Sequence, residues 1–141
     1  MITDRENLFS EKQVVIATGL GTDVVKVSAK MRADPHIMFV QVESAINNIT
    51  SRKFEFLASA AADLSSPRVI ADSGAIALAT LNAAAGYRFS AAIGSLAVTE
   101  NYLGIRYTDV GTAASTGAMT AGIVELLTSN PAERPAYYTG R

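Results

Sequence analysis

The chain of 141 residues carries 12 Lys and Arg against 13 Asp and Glu, one His and no Cys. That length suits a single domain. The lack of Cys excludes disulfides, thiolate metal sites and cysteine nucleophiles, and basic residues scattered singly form no stripe to follow a phosphate backbone, so a nucleic acid partner is not expected.

The N-terminal "MITDRENLFSEK" is charged and has no apolar core of signal-peptide length. Helix, where there is any, is expected in "ENLFSEKQ" or in the alanine-rich "FLASAAADL" and "IALATLNAAAG". "VVIATGLGTDVVKV" follows, and "TDVVKVSAK" alternates with Val25, Val27 and Ala29 on one side, the period of a strand. Further short runs are "HIMFVQVE" (36–43), "KFEFLAS" (53–59), "RVIAD" (68–72), "GYRFSAAI" (86–93), "NYLGIRYTD" (101–109) and "GAMTAGIVELL" (117–127). Each is bounded by Gly, Pro, Asn, Asp or Ser. Phe54 and Phe56 share a face opposite Lys53 and Glu55, while Leu103, Ile105 and Tyr107 oppose Arg106 and Thr108. With Phe89, these apolar residues are expected to form a core between two sheets. About eight such strands predict an all-β, single-domain sandwich over residues 1–129, with a short N-terminal lead. The longest uncharged central run, Ser73 to Tyr87, is 15 residues and broken by Ser, Asn and Gly; a membrane helix needs about 20 apolar residues.

Sites of chemistry are scarce. Gly19 and Gly21 resemble the start of a dinucleotide fingerprint with Glu43 as the later acid, but Val24 stands where the third glycine belongs and a strand follows. The glycines are therefore expected to serve a turn between antiparallel strands by supplying positive φ. His36 has no partners for a metal site or a serine triad and reads as a strand start after Asp34-Pro35. Glu43, Glu55, Asp63, Asp72 and Asp109 could act as acid and base, yet each reads as a solvated strand residue or a turn. Asp63 and Asp72 in particular suit turns, where a carboxylate bonds the local backbone. "GTAASTGAMTAG" (111–122) lacks a P-loop ending and reads as a flexible hairpin connection. No catalytic residue, cofactor or metal is expected, and the chain is not expected to be an enzyme.

Two features point to partner chains. Charged residues are only 18% of the sequence, against about 25% in ordinary domains, and 24 alanines add apolar surface without bulk. Such a surface is expected to be buried in a homo-oligomer, a homodimer before a trimer. The tail 130–141, "NPAERPAYYTGR", contains Pro131 and Pro135 and is expected to be an extended arm whose Arg134, Tyr137, Tyr138 and Arg141 contact a neighbour.

Taken in order, Asn7, Leu8, Phe9, Ser10 and Gln13, then Gly86, Tyr87, Arg88 and Phe89, then Tyr102, Leu103, Ile105 and Tyr107, and last Thr120, Ala121 and Gly122 carry a resemblance over nearly the whole chain. The sequence resembles the Bbp16-like capsid cement proteins of tailed bacteriophages. It departs from their pattern at "RADPHIMFVQVE", where an acidic, glycine-containing linker is expected. The resemblance implies a jelly-roll sandwich and no catalysis. It further implies a virion protein, made in the host bacterial cytoplasm, that coats the outside of an icosahedral head and joins neighbouring major capsid protein subunits. A lectin-like or receptor-binding sandwich is the alternative, although the chain lacks Trp.

Overall fold

The computed structural model describes residues 7–15, 18–33, 36–83 and 86–125. Among them, ten antiparallel strands form two sheets that face each other as a β-sandwich. The first sheet runs β1 (Leu8–Val14), β10 (Ala118–Glu125), β4 (His36–Val42), β8 (Arg88–Ala92). In the second, β9 (Tyr102–Gly111) and β5 (Ile49–Ser59) are central. The two-residue strands β2 (Gly19–Leu20) and β3 (Val25–Lys26) share the free side of β9, while β6 (Arg68–Asp72) and β7 (Ile76–Ala77) share that of β5. With each interrupted pair taken as one position, each sheet has four.

The core follows from alternation. Phe54 and Phe56 of β5 and Leu103, Ile105 and Tyr107 of β9 all point inward and are buried. Phe54 stacks on Tyr87 and meets Tyr107 edge-on, and Phe56 stacks on Phe89 with centroids 5.3 Å apart. Rings from both sheets therefore interlock, an arrangement that adds directional preference to the burial of large apolar areas. Met38, Val40, Met119, Ala121 and Ile123 complete the first sheet's inner face. Leu57 faces outward opposite Gly104, yet it is buried because Leu64 folds over this glycine. A Cβ at position 104 would overlap Leu64 Cδ1.

Several local expectations are corrected. Residues 8–13 of "ENLFSEKQ" are not helical but open β1, because pairing with β10 buries Leu8, Phe9 and Ser10. "TDVVKVSAK" gives only two strand residues before α1 (Ala29–Ala33), whose first turn begins where Met31 N donates to Ser28 Oγ at 3.2 Å and Met31 buries its side chain. "FLASAAADL" ends β5 and then turns, with Leu64 at φ 59°. "IALATLNAAAG" contributes β7 and the single helical turn α2 (Leu78–Leu81).

The two glycine-rich loops also differ from expectation. Gly19 and Gly21 are not among the positive-φ residues, and their segment joins β1 in one sheet to the β9 edge of the other. Gly21 is needed for close approach, since a Cβ there would meet Ile105 Cγ2 at 2.8 Å and Phe9 O at 2.9 Å. Residues 111–117 are likewise no hairpin, for they carry the chain from β9 across to β10. Gly111 and Gly117 have φ of 102° and 119°, and the loop between them is held by Asn47.

Candidate interface and ion-pair clusters

Strand directions divide the loops between two ends. The upper end gathers residues 43–48, 73–83 and 111–117; the lower end gathers α1, 59–67 and 93–101, and Glu125 lies there opposite His36.

Neutral side chains stitch the upper end. Asn82 accepts from Ile46 N at 2.9 Å and donates to Ile46 O at 2.7 Å. Asn47 Oδ1 accepts from Ser115 N and Thr116 N at 2.7 and 3.1 Å, while its Nδ2 donates to Ser115 Oγ at 2.7 Å. Just inside this end, Arg52 is fully buried, with 0% exposure. Its Nε and Nη2 donate to the two Asp109 oxygens at 2.5 and 2.7 Å, and Nη2 also donates to Val15 O at 2.8 Å. The guanidinium carbon lies 5.9 Å from the Tyr107 ring centre, and Nη1 has no hydrogen-bond partner among the described residues. Tyr107 Oη donates to Ser10 Oγ at 3.0 Å, and burial pushes this phenol above its ordinary range. Ser10 then donates to Gln13 Oε1, which also accepts from Thr22 N and Thr22 Oγ1. A polar line thus ties β1 and the crossover after it to the second sheet.

Charges hold the lower end. Arg68 donates from Nε and Nη2 to the two Glu100 oxygens, each at 2.8 Å, and Glu100 Oε1 accepts from Ala97 N at 2.7 Å. Arg32 reaches from α1 to donate to Ala97 O, Glu100 O and Asn101 Oδ1 at 3.0, 2.8 and 3.2 Å. Glu100 N closes the turn on Ala97 O at 2.9 Å, leaving Val98 at its tip 89% exposed. The Arg68 guanidinium holds Glu100 below the usual carboxylate range.

A third cluster lies on the outer face of the second sheet. Arg106 binds both Glu55 oxygens at 3.0 and 3.2 Å, and Lys53 lies 3.7 Å from Glu55 and 3.8 Å from Asp72. Hydrogen bonding from Arg106 lowers the Glu55 pKa. Carboxylates held ionised by bidentate arginines are poor proton shuttles, so these clusters act as staples.

The five acids read as solvated or turn residues therefore divide, and Glu43, just past β4, is exposed as expected. Asp63 accepts from Ser65 N at 3.0 Å and Asp72 from Gly74 N at 2.7 Å, both as turn residues. Asp109 and Glu55 are instead paired and buried or nearly so, which corrects their reading as solvated. His36 opens β4 as expected, and the described residues contain no group of three or more His, Asp and Glu placed to hold a metal. Arg134, Tyr137, Tyr138 and Arg141, with the whole arm 130–141, lie outside the described residues.

Sequence reading overlooked the Arg52–Asp109 pair, although a signal existed. Alternation extended back from Phe54 puts Arg52 on the core face, and extended forward from Tyr107 it puts Asp109 there too. Arg32, Arg68 and Glu100 come from three separated segments and carry no local signal of their meeting.

No curated protein matches the chain. The family model Bbp16 matches residues 9–127, which spans β1 through β10 apart from Leu8. The chain belongs to the Bbp16 family.

Proposed function

We propose that this protein is a capsid cement, or decoration, protein of a tailed bacteriophage. It binds the outside of the icosahedral head and stabilises contacts between neighbouring major capsid protein subunits, after synthesis in the host bacterial cytoplasm. The observation that carries the reading is Bbp16 family membership across almost the whole sandwich, together with the likeness of the chain to cement proteins of that kind. Strand order supports a jelly roll: four positions per sheet, with β1 beside β10 and β4 beside β8 in one and β9 beside β5 in the other.

The ion-pair clusters support a structural role, since their charged groups stiffen loops and hold few protons in exchange. The lower end suits docking, because the clamped turn at Val98 shares it with the point where β10 ends and the chain continues toward Arg134, Tyr137, Tyr138 and Arg141. A rigid turn loses little freedom on binding, and Tyr and Arg are favoured anchors at interfaces. A protein bridging two subunits also gains from effective concentration, so modest contacts suffice when both are engaged. Self-association, as a homodimer in preference to a trimer, completes the proposal.

The test is co-sedimentation with empty shells of the cognate major capsid protein. Saturable binding is expected, with occupancy reduced when residues 130–141 are deleted. Absence of binding to shells, together with selective binding on a glycan array, would replace this reading with a sugar-binding sandwich.

A further inference from the structure

The four sheet edges are not alike. The β1 edge is bent by two register shifts, with Lys12 at φ 48°, and Gln13 ties it to Thr22. On the β9 side, the edge is broken into the two-residue strands β2 and β3. On the β5 side it is broken between β6 and β7, carries Arg68 and Asp72, and has a register shift between Phe56 and Leu57. Bulges, breaks and charges are the usual means of keeping an edge from pairing with another chain.

The fourth edge, β8, has neither a bulge nor a break. Its register with β4 runs unbroken from Arg88 opposite Gln41 to Ala92 opposite Ile37. It contains no Pro, and no strand among the described residues pairs with its other side. Phe89 anchors it inward on Phe56, so the strand is held on its sheet. Its single charge, Arg88, lies over the Phe39 ring of the neighbouring β4 at 5.0 Å, back on its own sheet.

We propose that β8 pairs antiparallel with β8 of a second copy across a twofold axis, joining two four-stranded sheets into one. The sequence "RFSAA" is self-complementary in this arrangement. Centred on Ser90, the pairing sets Ser90 against Ser90 of the second copy, Phe89 against Ala91, and Arg88 against Ala92. Large residues then face small ones, and the two guanidinium groups stand at opposite ends of the ribbon, so like charges do not oppose. Isologous pairing of this kind satisfies backbone donors and acceptors that otherwise need water. This deepens the self-association included in the proposed function by giving it a surface. Its sedimentation and crosslinking tests use purified protein alone, so that a failure there leaves shell binding standing.

Five residues per copy make a smaller contact than the standard interface, so the expected dissociation constant is roughly micromolar. Sedimentation velocity from roughly 1 to 200 micromolar should show a shift from monomer to dimer across that range. Ser90→Lys sets two ammonium groups face to face and should raise the dissociation constant at least about tenfold while leaving the melting temperature unchanged. Because the chain has no Cys, Ser90→Cys with a short thiol crosslinker should give a covalent dimer, whereas Lys12→Cys on the β1 edge should not. A monomer at every concentration overturns the proposal, as does a dimer indifferent to Ser90→Lys. Protection of the 88–92 amides from hydrogen exchange only when the protein is bound to shells would likewise overturn it, since the edge would then take a strand of another protein.

Discussion

The upper end of the sandwich sets an arginine–carboxylate pair in a dry interior, while the lower end sets the same chemical pair at the surface. Arg52 and Asp109 have side chains exposed by 0% and 7%; Arg68 is half exposed over a nearly buried Glu100. Both are bidentate, so geometry does not separate them. Surroundings do. A buried pair gains little net stability over an apolar replacement because both ions lose their hydration, yet removal of one partner strands the other. An exposed pair is screened by water and salt, and when the lower pair breaks Arg68 returns to water while Glu100 keeps its bond from Ala97 N. The upper pair therefore works as a demand for one arrangement of β5, β9 and Val15, and the lower pair as a hold on one turn.

The largest expected effect comes from splitting the upper pair. Arg52→Ala or Asp109→Ala should each lower stability by about 3 to 5 kcal/mol in urea unfolding. The double change Arg52→Met with Asp109→Leu should lie well above either single variant in stability. Equal losses in single and double variants would remove the distinction between the two ends.

A middle effect belongs to the neutral stitches. Asn82→Ala leaves both polar groups of the Ile46 backbone without their amide partner, and should cost about 1 to 3 kcal/mol with almost no dependence on salt. A marked salt dependence would show that the upper end is held by charge after all.

The smallest effect is expected at the lower end. Arg68→Ala should cost about 1 kcal/mol or less at low salt, and less again in high salt. Acid provides a second readout. Glu100 and Glu55 have folded pKa values depressed below the ordinary 4.5, so they bind fewer protons folded than unfolded. Their stabilisation is complete above that ordinary value and is lost as pH falls through the folded values. Unfolding midpoints should thus show no loss from these groups between roughly pH 7 and pH 5. They should fall in more acid solution, and Glu100→Gln should reduce that fall.

Much of this fold is legible in the sequence, because a strand with one buried face must alternate. Phe54 with Phe56, and Leu103 with Ile105 and Tyr107, mark both central strands and their inward sides. The same rule reaches Arg52 and Asp109, but a charged residue at the start of an apolar run is readily taken as the strand's boundary. Elsewhere the limits are those of local pattern. Residues 6–13 have helix-forming composition, and only pairing with β10 makes a strand of 8–13. The glycines of "GLG" cannot reveal from spacing alone that Gly21 yields space to Ile105 and to the Phe9 carbonyl. Nor does any neighbourhood in the sequence foreshadow Arg32, Arg68 and Glu100 meeting on the turn at Val98, since each lies more than 30 residues from the next.

A cement role is tested most directly by a cryo-EM reconstruction of the intact particle that carries this protein. A cement role predicts density for the two-sheet sandwich on the outer surface of the head, repeated with the shell's symmetry, each copy touching neighbouring major capsid protein subunits. A head surface without that density, or density confined to the tail, would contradict it.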